Sequence, residues 1–585
     1  AARRLYGAWT GLGAAALLAV TMLHVQMSHY GVVDVPVVCF SLAAFYFISC
    51  LYRQPLWRYY LLAGLFFGIA LSTKINAILL VVPFLTAHAL NRYQTRAWSW
   101  RSASGWLHFL RVLLQPTMLA AGGMTILVFF LLNPFAILDF REYLFADNAF
   151  GFFHILRNIR GENLYPFQIQ FLDNNFPLLP LFTNLLPWGM GWPLALLGVL
   201  GVVIQIIRGK AVDWVLLAWL LTTLLLTHNA KVLYMRYALP LMPLLALSGV
   251  RGVVLLLEWR PARWLRYSLS LLVLAVFCYG WAWSAAFNSV YQREDSRLAA
   301  ARWLGIQVAP GTTILHEQSA NSMKFYLDKD QYDLLPLSIQ MLYHAGGLLT
   351  FQERIDYLYH KLDMVDYYVF VETNRMAGYR EVSRHFPVEA DFYTLLLSGR
   401  LGFQLVFDRV EYPRLLGWVI DDSAAEFSLR YYDHSRVFIM RKTAAFNREL
   451  FDRWRDSYQT APGSEDDLIR RARRLMEQED WEGALGLLGP SLNQQQGLIC
   501  KLQMVGTCYQ ALGDNALALQ AFNSMVQYDR LQPQISYQHY LRVLLESGNL
   551  EEAQRTYNGL REQLAGRRAE LKSLERFWGE LTSGE

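Results

Sequence analysis

Apolar and polar positions divide the chain into two unlike halves. Between Trp9 and Phe287 long apolar runs alternate with short polar connections, and from Asn288 onward charged residues return. A helix that crosses a bilayer needs about 20 apolar residues. Runs of that order occupy 9–27, 35–52, 114–133, 188–207, 212–228, 237–257 and 265–286. A further run, 59–90, is 32 residues long. As one helix it would reach about 48 Å, well beyond a hydrocarbon core of about 30 Å. It therefore reads as two short spans that turn near Ser72–Asn76, around Lys74. The pattern predicts nine crossings within residues 1–287.

Charge gives these spans an orientation. Arg3 and Arg4 precede the first run. Nine crossings put on their side the loops with Arg53 and Arg58, with Arg92, Arg96, Arg101 and Arg111, with Arg208 and Lys210, and with Arg260, Arg263 and Arg266. The 91–113 loop has no acidic residue. The excess of Lys and Arg on cytoplasmic loops then places this side in the cytoplasm. The region after Phe287 is expected to be extracytoplasmic. Composition agrees: 17% of residues are charged and 54% hydrophobic, against about 25% charged in soluble domains. The net charge of +5 sits in short loops and argues against nucleic-acid binding. Five cysteines do not form a disulfide framework: Cys39, Cys50 and Cys278 lie in apolar runs, and Cys500 and Cys508 are too far apart along one helix to bridge.

The polar half has two textures. Residues 288–445 alternate helix and strand: SRLAAARWLGIQVA is an amphipathic helix, TTILHE, DYYVFVE, FQLVFDRVE and SRVFIMRK are strands, and a helix covers 390–399. That alternation predicts a mostly parallel sheet with helices on its faces. After a linker at 446–460, residues 461–585 repeat. Asp480, Asp514 and Asn549 recur at spacings of 34 and 35 residues, with Ala484, Ala518 and Ala553 following at one offset and Leu488, Phe522 and Tyr557 at another. This is the period of a tetratricopeptide repeat, a helical pair that buries its apolar face against its neighbours.

Three stretches of the apolar half, HVQMSHYGVVDVP, GLFFGIALSTKINAILLVVP and KVLYMRYALPLMPLLAL, occur in the order found in one family. Together with DSRLAAARWLGIQVAPGTTILHE, LGFQLVF and DDSAAEFSLRYYDHSRVFIMRK they make residues 1–445 resemble the GT-C glycosyltransferases, in particular bacterial relatives of the dolichyl-phosphate-mannose–protein mannosyltransferases (glycosyltransferase family 39). Ser435 stands where that family's ending usually has proline. The resemblance implies a polytopic α-helical membrane core, an extracytoplasmic α/β domain and a bacterial plasma-membrane location. The family carries an acidic motif, the source of its catalytic base, in an outer loop after its first span. Nothing matching it precedes Ala1, and the opening AARRLYG reads as mid-domain, so an N-terminally truncated sequence is expected.

Candidate chemistry clusters at the predicted outer ends of the spans. Asp34 is a carboxylate at the entrance of an apolar span, where burial is costly and charge marks function. The resemblance makes it the second acidic residue of the site, able to orient the acceptor, hold a metal or bond the first carboxylate. Pro36 also suits the first turn of a helix that Asp34 would cap. His29 and Tyr30 share its loop as acceptor contacts. His29 and Asp34 could ligate one divalent cation, but one imidazole and one carboxylate are too few for a structural site. His24, one turn back, reads as packing. Lys74 interrupts the longest apolar run and needs a partner or an interface; a phosphate on a lipid carrier fits. Lys231 and Arg236 precede the 237–257 span on the side where cations are disfavoured. An arginine fork suits a phosphodiester, and in the family the Arg-Tyr-x-x-Pro pattern, here Arg236, Tyr237 and Pro240, lies by the donor. The 134–187 loop, with Asp147, His154 and Arg157, is long enough to be functional. His316 and Glu317 end a strand and read as structural.

No Walker loop, GxGxxG, HExxH or GxSxG stands in a supporting context. That fits a lipid-linked rather than a nucleotide-linked sugar donor. The expectation is an inverting hexosyltransferase that moves a sugar from a polyprenyl phosphate to a protein or glycan acceptor outside the cytoplasm. It would have no certain cofactor, and its repeats would hold a protein partner. The alternative is a non-catalytic membrane receptor or assembly scaffold that uses the repeats alone.

Overall fold

The computed structural model describes all residues except 96–113, 147–150, 163, 260–261, 320, 340–350, 384–385, 458–464, 493–497, 529–532, 565–567 and 584–585. Arg96, Arg101, Arg111, Asp147 and Arg260 lie outside the described residues. The chain forms two compact units, Ala1–Arg293 with Tyr412–Asp433, and Glu294–Glu411 with His434–Glu585.

The first unit is built of apolar helices, and it is a membrane domain by their character. Asp34–Arg53, Ile75–Arg92 and Leu241–Glu258 are long and apolar enough to cross a bilayer, as is the stretch opened by the helix Arg263–Asn288. Ala8–Ala19, Pro116–Leu132, Trp192–Arg208 and Asp213–His228 are shorter apolar helices. The expected span at 9–27 is broken: Ala8–Ala19 stops at Val20, and Met22–Met27 follows. The run at 59–90 folds into the helix Trp57–Thr73, an extended Lys74, a 3-10 turn Ile75–Leu80 and the helix Val81–Thr95. The chain doubles back at Lys74. Tyr60 and His88, 28 residues apart, have ring centroids 5.6 Å apart and a hydrogen bond between them. A straight helix would hold them about 42 Å apart.

Small residues set the tightest helix contacts. A Cβ on Gly64 would lie 2.4 Å from the Ala121 carbonyl oxygen, and one on Gly68 would lie 2.8 Å from that of Thr125. These two glycines, one turn apart, let the Trp57–Thr73 and Pro116–Leu132 helices touch backbone to backbone. Such close approach drives helix association where lipid removes the hydrophobic incentive.

One end of this bundle is held by charge. Arg251 donates to both Asp213 oxygens, at 2.8 Å and 3.2 Å, and pairs with Glu258 at 3.1 Å. Lys210 pairs with Glu258 at 2.8 Å, and the Arg251 guanidinium lies 4.8 Å from the Tyr6 ring centroid. Arg53 donates to the Leu5 carbonyl at 3.2 Å. The helix ends at Arg53 and Tyr6 and the connection carrying Lys210 therefore meet at one end of the unit, with Asp34 at the far end of the Asp34–Arg53 helix.

The second unit contains a five-stranded sheet. Its strands are β1 Thr313–Glu317, β2 Asp333–Leu337, β3 Tyr367–Val371, β4 Phe403–Arg409 and β7 Val437–Lys442, in the order β2-β1-β3-β7-β4, while β5 Arg414–Leu415 and β6 Trp418–Val419 form a separate two-stranded sheet in the first unit. β1 pairs in parallel with β2 and β3, while β7 is antiparallel to both β3 and β4. Four strands thus run one way, as alternation predicts, and the last is slotted between two of them in reverse. Ile314, Val369, Val371, Val437 and Ile439 point to one face, against Ala300, Leu304 and Val308 of the first helix. That helix, Ser296–Gln307, is capped by Asp295, whose carboxylate accepts from the Arg297 backbone N–H at 2.7 Å.

Beyond the sheet, the helices Glu465–Glu477, Trp481–Leu488, Leu498–Ala511, Asn515–Tyr528, Pro533–Glu546, Leu550–Gln563 and Arg568–Ser583 follow one another. Ala484, Ala518 and Ala553 are fully buried. The sheet and these helices belong to one unit, whereas Tyr412–Asp433, which alternation had placed inside the α/β region, packs with the helices of the first.

His316 is buried beside Ser322, its Nδ1 3.1 Å from the hydroxyl oxygen. Burial, helped by Lys324, pushes its imidazolium pKa down to about 4. The unfolded chain takes up a proton near pH 6.5 that the native state refuses until about pH 4. Stability should therefore fall as pH drops through that window, by roughly 3 kcal/mol in total, and level off below it. Thermal unfolding at pH 7.5 and pH 5 should show a larger drop for the wild type than for His316→Gln.

Candidate functional site

Three local breaks in the helices bring the predicted polar residues together. Asp34 is the first residue of its helix, and its carboxylate makes no capping bond there. Lys74 ends the Trp57–Thr73 helix in extended conformation. Arg236 and Tyr237 lie in the 3-10 turn Met235–Ala238, just before Pro240 and the Leu241–Glu258 helix. At such breaks side chains escape the helical stack and can converge.

They converge on Asp34, whose side chain is 5% exposed. One oxygen accepts from the Lys74 ammonium at 2.5 Å, and the other lies 3.8 Å from Arg236 Nε. Lys74 Nζ is 4.5 Å from the Tyr237 ring centroid, and the Arg236 guanidinium stands 5.2 Å and 5.7 Å from the Tyr234 and Tyr237 rings. Two cations around one carboxylate leave one positive charge in surplus, cushioned by aromatic faces that favour cations. Lys74 and Tyr237 also line a cavity of about 760 Å³ whose other walls include Val37, Val38, Trp219, Leu226 and Leu233. The long 134–187 loop closes one side of it with Tyr143, Phe152, Ile155 and Arg160. The loop's helix is secured by a reciprocal amide pair, Asn158 with Gln168 at 2.6 Å and 2.9 Å.

Lys231 does not join this cluster. Its backbone N–H donates to Ile159 at 2.8 Å, its carbonyl accepts from Asn174 at 2.7 Å, and its alkyl chain runs along Gly161. His29 and Tyr30 belong to a neighbouring group. His29 Nδ1 is 3.0 Å from the Val25 carbonyl, and its ring stacks on Tyr291 at 4.6 Å. Tyr30 and Tyr291 share a hydroxyl contact of 3.0 Å. Among the described residues no three His, Cys, Asp or Glu side chains gather as a metal cluster, and one His29 nitrogen is already held by a backbone carbonyl.

Sequence reasoning missed the contribution of Tyr412–Asp433. Arg236 Nη1 donates to the Tyr432 hydroxyl at 2.5 Å. Asp433 accepts from Gln26 and from Tyr291, both at 2.9 Å, and Gln26 also donates to the Leu429 carbonyl at 2.9 Å. Glu426 accepts from the Met235 backbone N–H at 2.8 Å, from Gln170 at 3.0 Å and from Ser428. Burial pushes the Glu426 carboxyl above its usual range, against the pull of these donors. The acidic, aromatic composition of DDSAAEFSLRYYDHS was visible, but its distant partners, 142 to 407 residues away, were not.

No curated protein matches the chain. Residues 1–119, which carry His29, Tyr30, Asp34 and Lys74 and stop short of Arg236, match the model of the dolichyl-phosphate-mannose-protein mannosyltransferase family, so this part of the membrane domain is similar to a membrane glycosyltransferase of the GT-C type.

Proposed function

We infer that the protein transfers a sugar from a polyprenyl-phosphate carrier to an acceptor on the extracytoplasmic side of the membrane, with inversion at the anomeric carbon. The observation that supports this most is the convergence of Lys74 and Arg236 on Asp34, with Lys74 and Tyr237 also lining a largely apolar cavity. A prenyl chain suits the apolar walls, and its phosphate suits the surplus cation. The acceptor oxygen attacks the anomeric carbon, the bond from that carbon to the phosphate oxygen breaks, and its electron pair stays on the phosphate. Arg236 and Lys74 stabilise the departing charge, a task for fixed donors in a water-poor pocket. The acceptor proton passes to a carboxylate. Both Asp34 oxygens face cations, so Asp34 is the positioning residue for Lys74 and Arg236, and the family resemblance assigns the base to an acidic outer loop. Lys231 stands apart from these groups and takes no step in this reading. The test is transfer from a synthetic polyprenyl-phosphate sugar by the full-length protein in proteoliposomes, with the product anomer read by NMR. A well-folded protein that transfers none of the sugars presented, and binds none of their carriers, would overturn the reading.

The orientation that this function needs has its own test. Reporters active on only one side of the membrane, fused after Arg101 and after Thr443, should give opposite signals, with Arg101 cytoplasmic. Equal signals would break the nine-span count. The helical pairs after residue 465 support reading 461–585 as a tetratricopeptide-like array that recruits a protein acceptor or an assembly partner and raises its local concentration. Deleting 461–585 should then leave transfer to a small soluble acceptor intact and weaken transfer to the native one. Equal loss for both would make the array a passive cap.

A further inference from the structure

The segment Tyr412–Asp433 begins with a minimal hairpin. Strands β5 Arg414–Leu415 and β6 Trp418–Val419 pair antiparallel around the two-residue loop Leu416–Gly417. Leu416 is 95% exposed, Trp418 81% and Val419 53%. Three large apolar side chains on one tip are unusual on a surface that meets water. The backbone sharpens the point. Leu416 has φ 49° and Gly417 φ 89°, the signs of a turn that favours Asn-Gly or Asp-Gly. A leucine in that conformation is strained, and an asparagine would serve the turn better. Turn chemistry does not account for Leu416; an apolar environment does.

The hairpin's position says which environment. The Arg414 N–H donates to the Ser289 hydroxyl at 2.9 Å, and Arg293 donates to the Tyr412 carbonyl at 2.9 Å. It is thus tied to the residues that follow directly on the helix Arg263–Asn288. That helix exposes Trp264 and Tyr267 near one end, Leu271, Leu272 and Leu274 along its middle, and Trp281 toward the other. Aromatic belts flanking an aliphatic stretch mark a lipid-facing span. Its 26 residues reach about 39 Å, close to the about 40–45 Å of a bilayer with its headgroups. Its Asn288 end, with the hairpin beside it, falls at the headgroup layer.

We propose that the Arg414–Val419 hairpin is a membrane-interface anchor, with Leu416 and Trp418 seated among the lipid headgroups and upper acyl chains beside the Arg263–Asn288 helix. The occupant of this apolar surface is lipid, and the anchor fixes the near end of the segment that carries Glu426, Tyr432 and Asp433. It stands independently of the transferase reading. The test places the photoreactive residue p-benzoylphenylalanine at Trp418, and separately at Leu416, in the full chain reconstituted in bilayers of radiolabelled phosphatidylcholine. Irradiation should attach lipid several-fold above the same substitution at Glu449, an exposed polar site of the second unit, and near the level given by Trp281. Label no higher than at Glu449 would mean a tip in water. A crosslink to a second copy of the chain in place of lipid would make the tip a protein contact. Either result overturns the proposal, and agreement between the two positions guards against local misfolding at one of them.

Discussion

Arg236→Ala is expected to lower sugar transfer about 100-fold or more, the usual cost of removing one charge-stabilising donor from an active site. The loss should fall mainly on kcat, because charge on the phosphate oxygen grows as its bond to the anomeric carbon breaks, so Arg236 holds the phosphate more strongly in the transition state than in the bound donor. Arg236→Lys should recover part of it, since a lysine keeps the charge and loses the planar fork. Tyr432→Phe separates positioning from charge. It leaves the guanidinium in place and removes the hydroxyl that accepts from Nη1 at 2.5 Å. It should cost about tenfold, in line with roughly 1.5 kcal/mol for a hydrogen bond to a charged group. Kinetics on a synthetic donor decide the matter. Wild-type turnover in Arg236→Ala would remove this residue from the site, and with it the reading of the Asp34 cluster as a phosphate cradle.

How much of the molecule is legible in its sequence follows from range. Lys74 stands out as a turning point because an ammonium inside a 32-residue apolar run is costly in lipid and belongs where the chain reaches an interface. The Tyr60–His88 contact fits that turn. Asp34 and Arg236 stand out by the same logic: each is a charge at the mouth of an apolar run. Their mutual pairing does not, since nothing in a one-dimensional pattern says which of several charges at one face meet. Glu426, Tyr432 and Asp433 are hidden more deeply. They lie in a stretch that separates two strands of a sheet, and its acidic, aromatic composition does not say which distant residues it meets. Only folding reveals that β4 and β7 pair across a 27-residue excursion (410–436) whose interior belongs to another unit. The RLLGWV hairpin escapes notice because two residues per strand are too few for a period of two to register. The reversal of β7 has no signature either, because a strand's apolar alternation is the same in both directions.

The largest effect on stability is expected far from the site, at the Asp213–Arg251 pair. Asp213 is wholly buried and the Arg251 side chain is 4% exposed. Removing one member of such a pair leaves the other as an uncompensated buried charge, which costs about 3–5 kcal/mol. The two deletions should not be equal. After Asp213→Asn, Arg251 keeps Glu258 at 3.1 Å and the Tyr6 ring at 4.8 Å. After Arg251→Met, Asp213 keeps the Lys210 backbone N–H at 2.7 Å but no full positive charge with which this buried carboxylate pairs. Arg251→Met should therefore be the worse variant, and the double change Asp213→Leu with Arg251→Met should recover most of the loss, as apolar replacement of buried pairs often does. Thermal inactivation in detergent, followed by loss of the monodisperse species, reads the order directly. Activity discriminates a lock from a distant part of the site. Asp34 and this pair lie toward opposite ends of the bundle, separated by the 20-residue Asp34–Arg53 helix, about 30 Å long. The surviving folded fraction of Arg251→Met should therefore show wild-type KM for the donor. A stable Arg251→Met protein would mean that the charged network does not hold these helix ends together, and a stable but slow one would mean that the network communicates with the cavity.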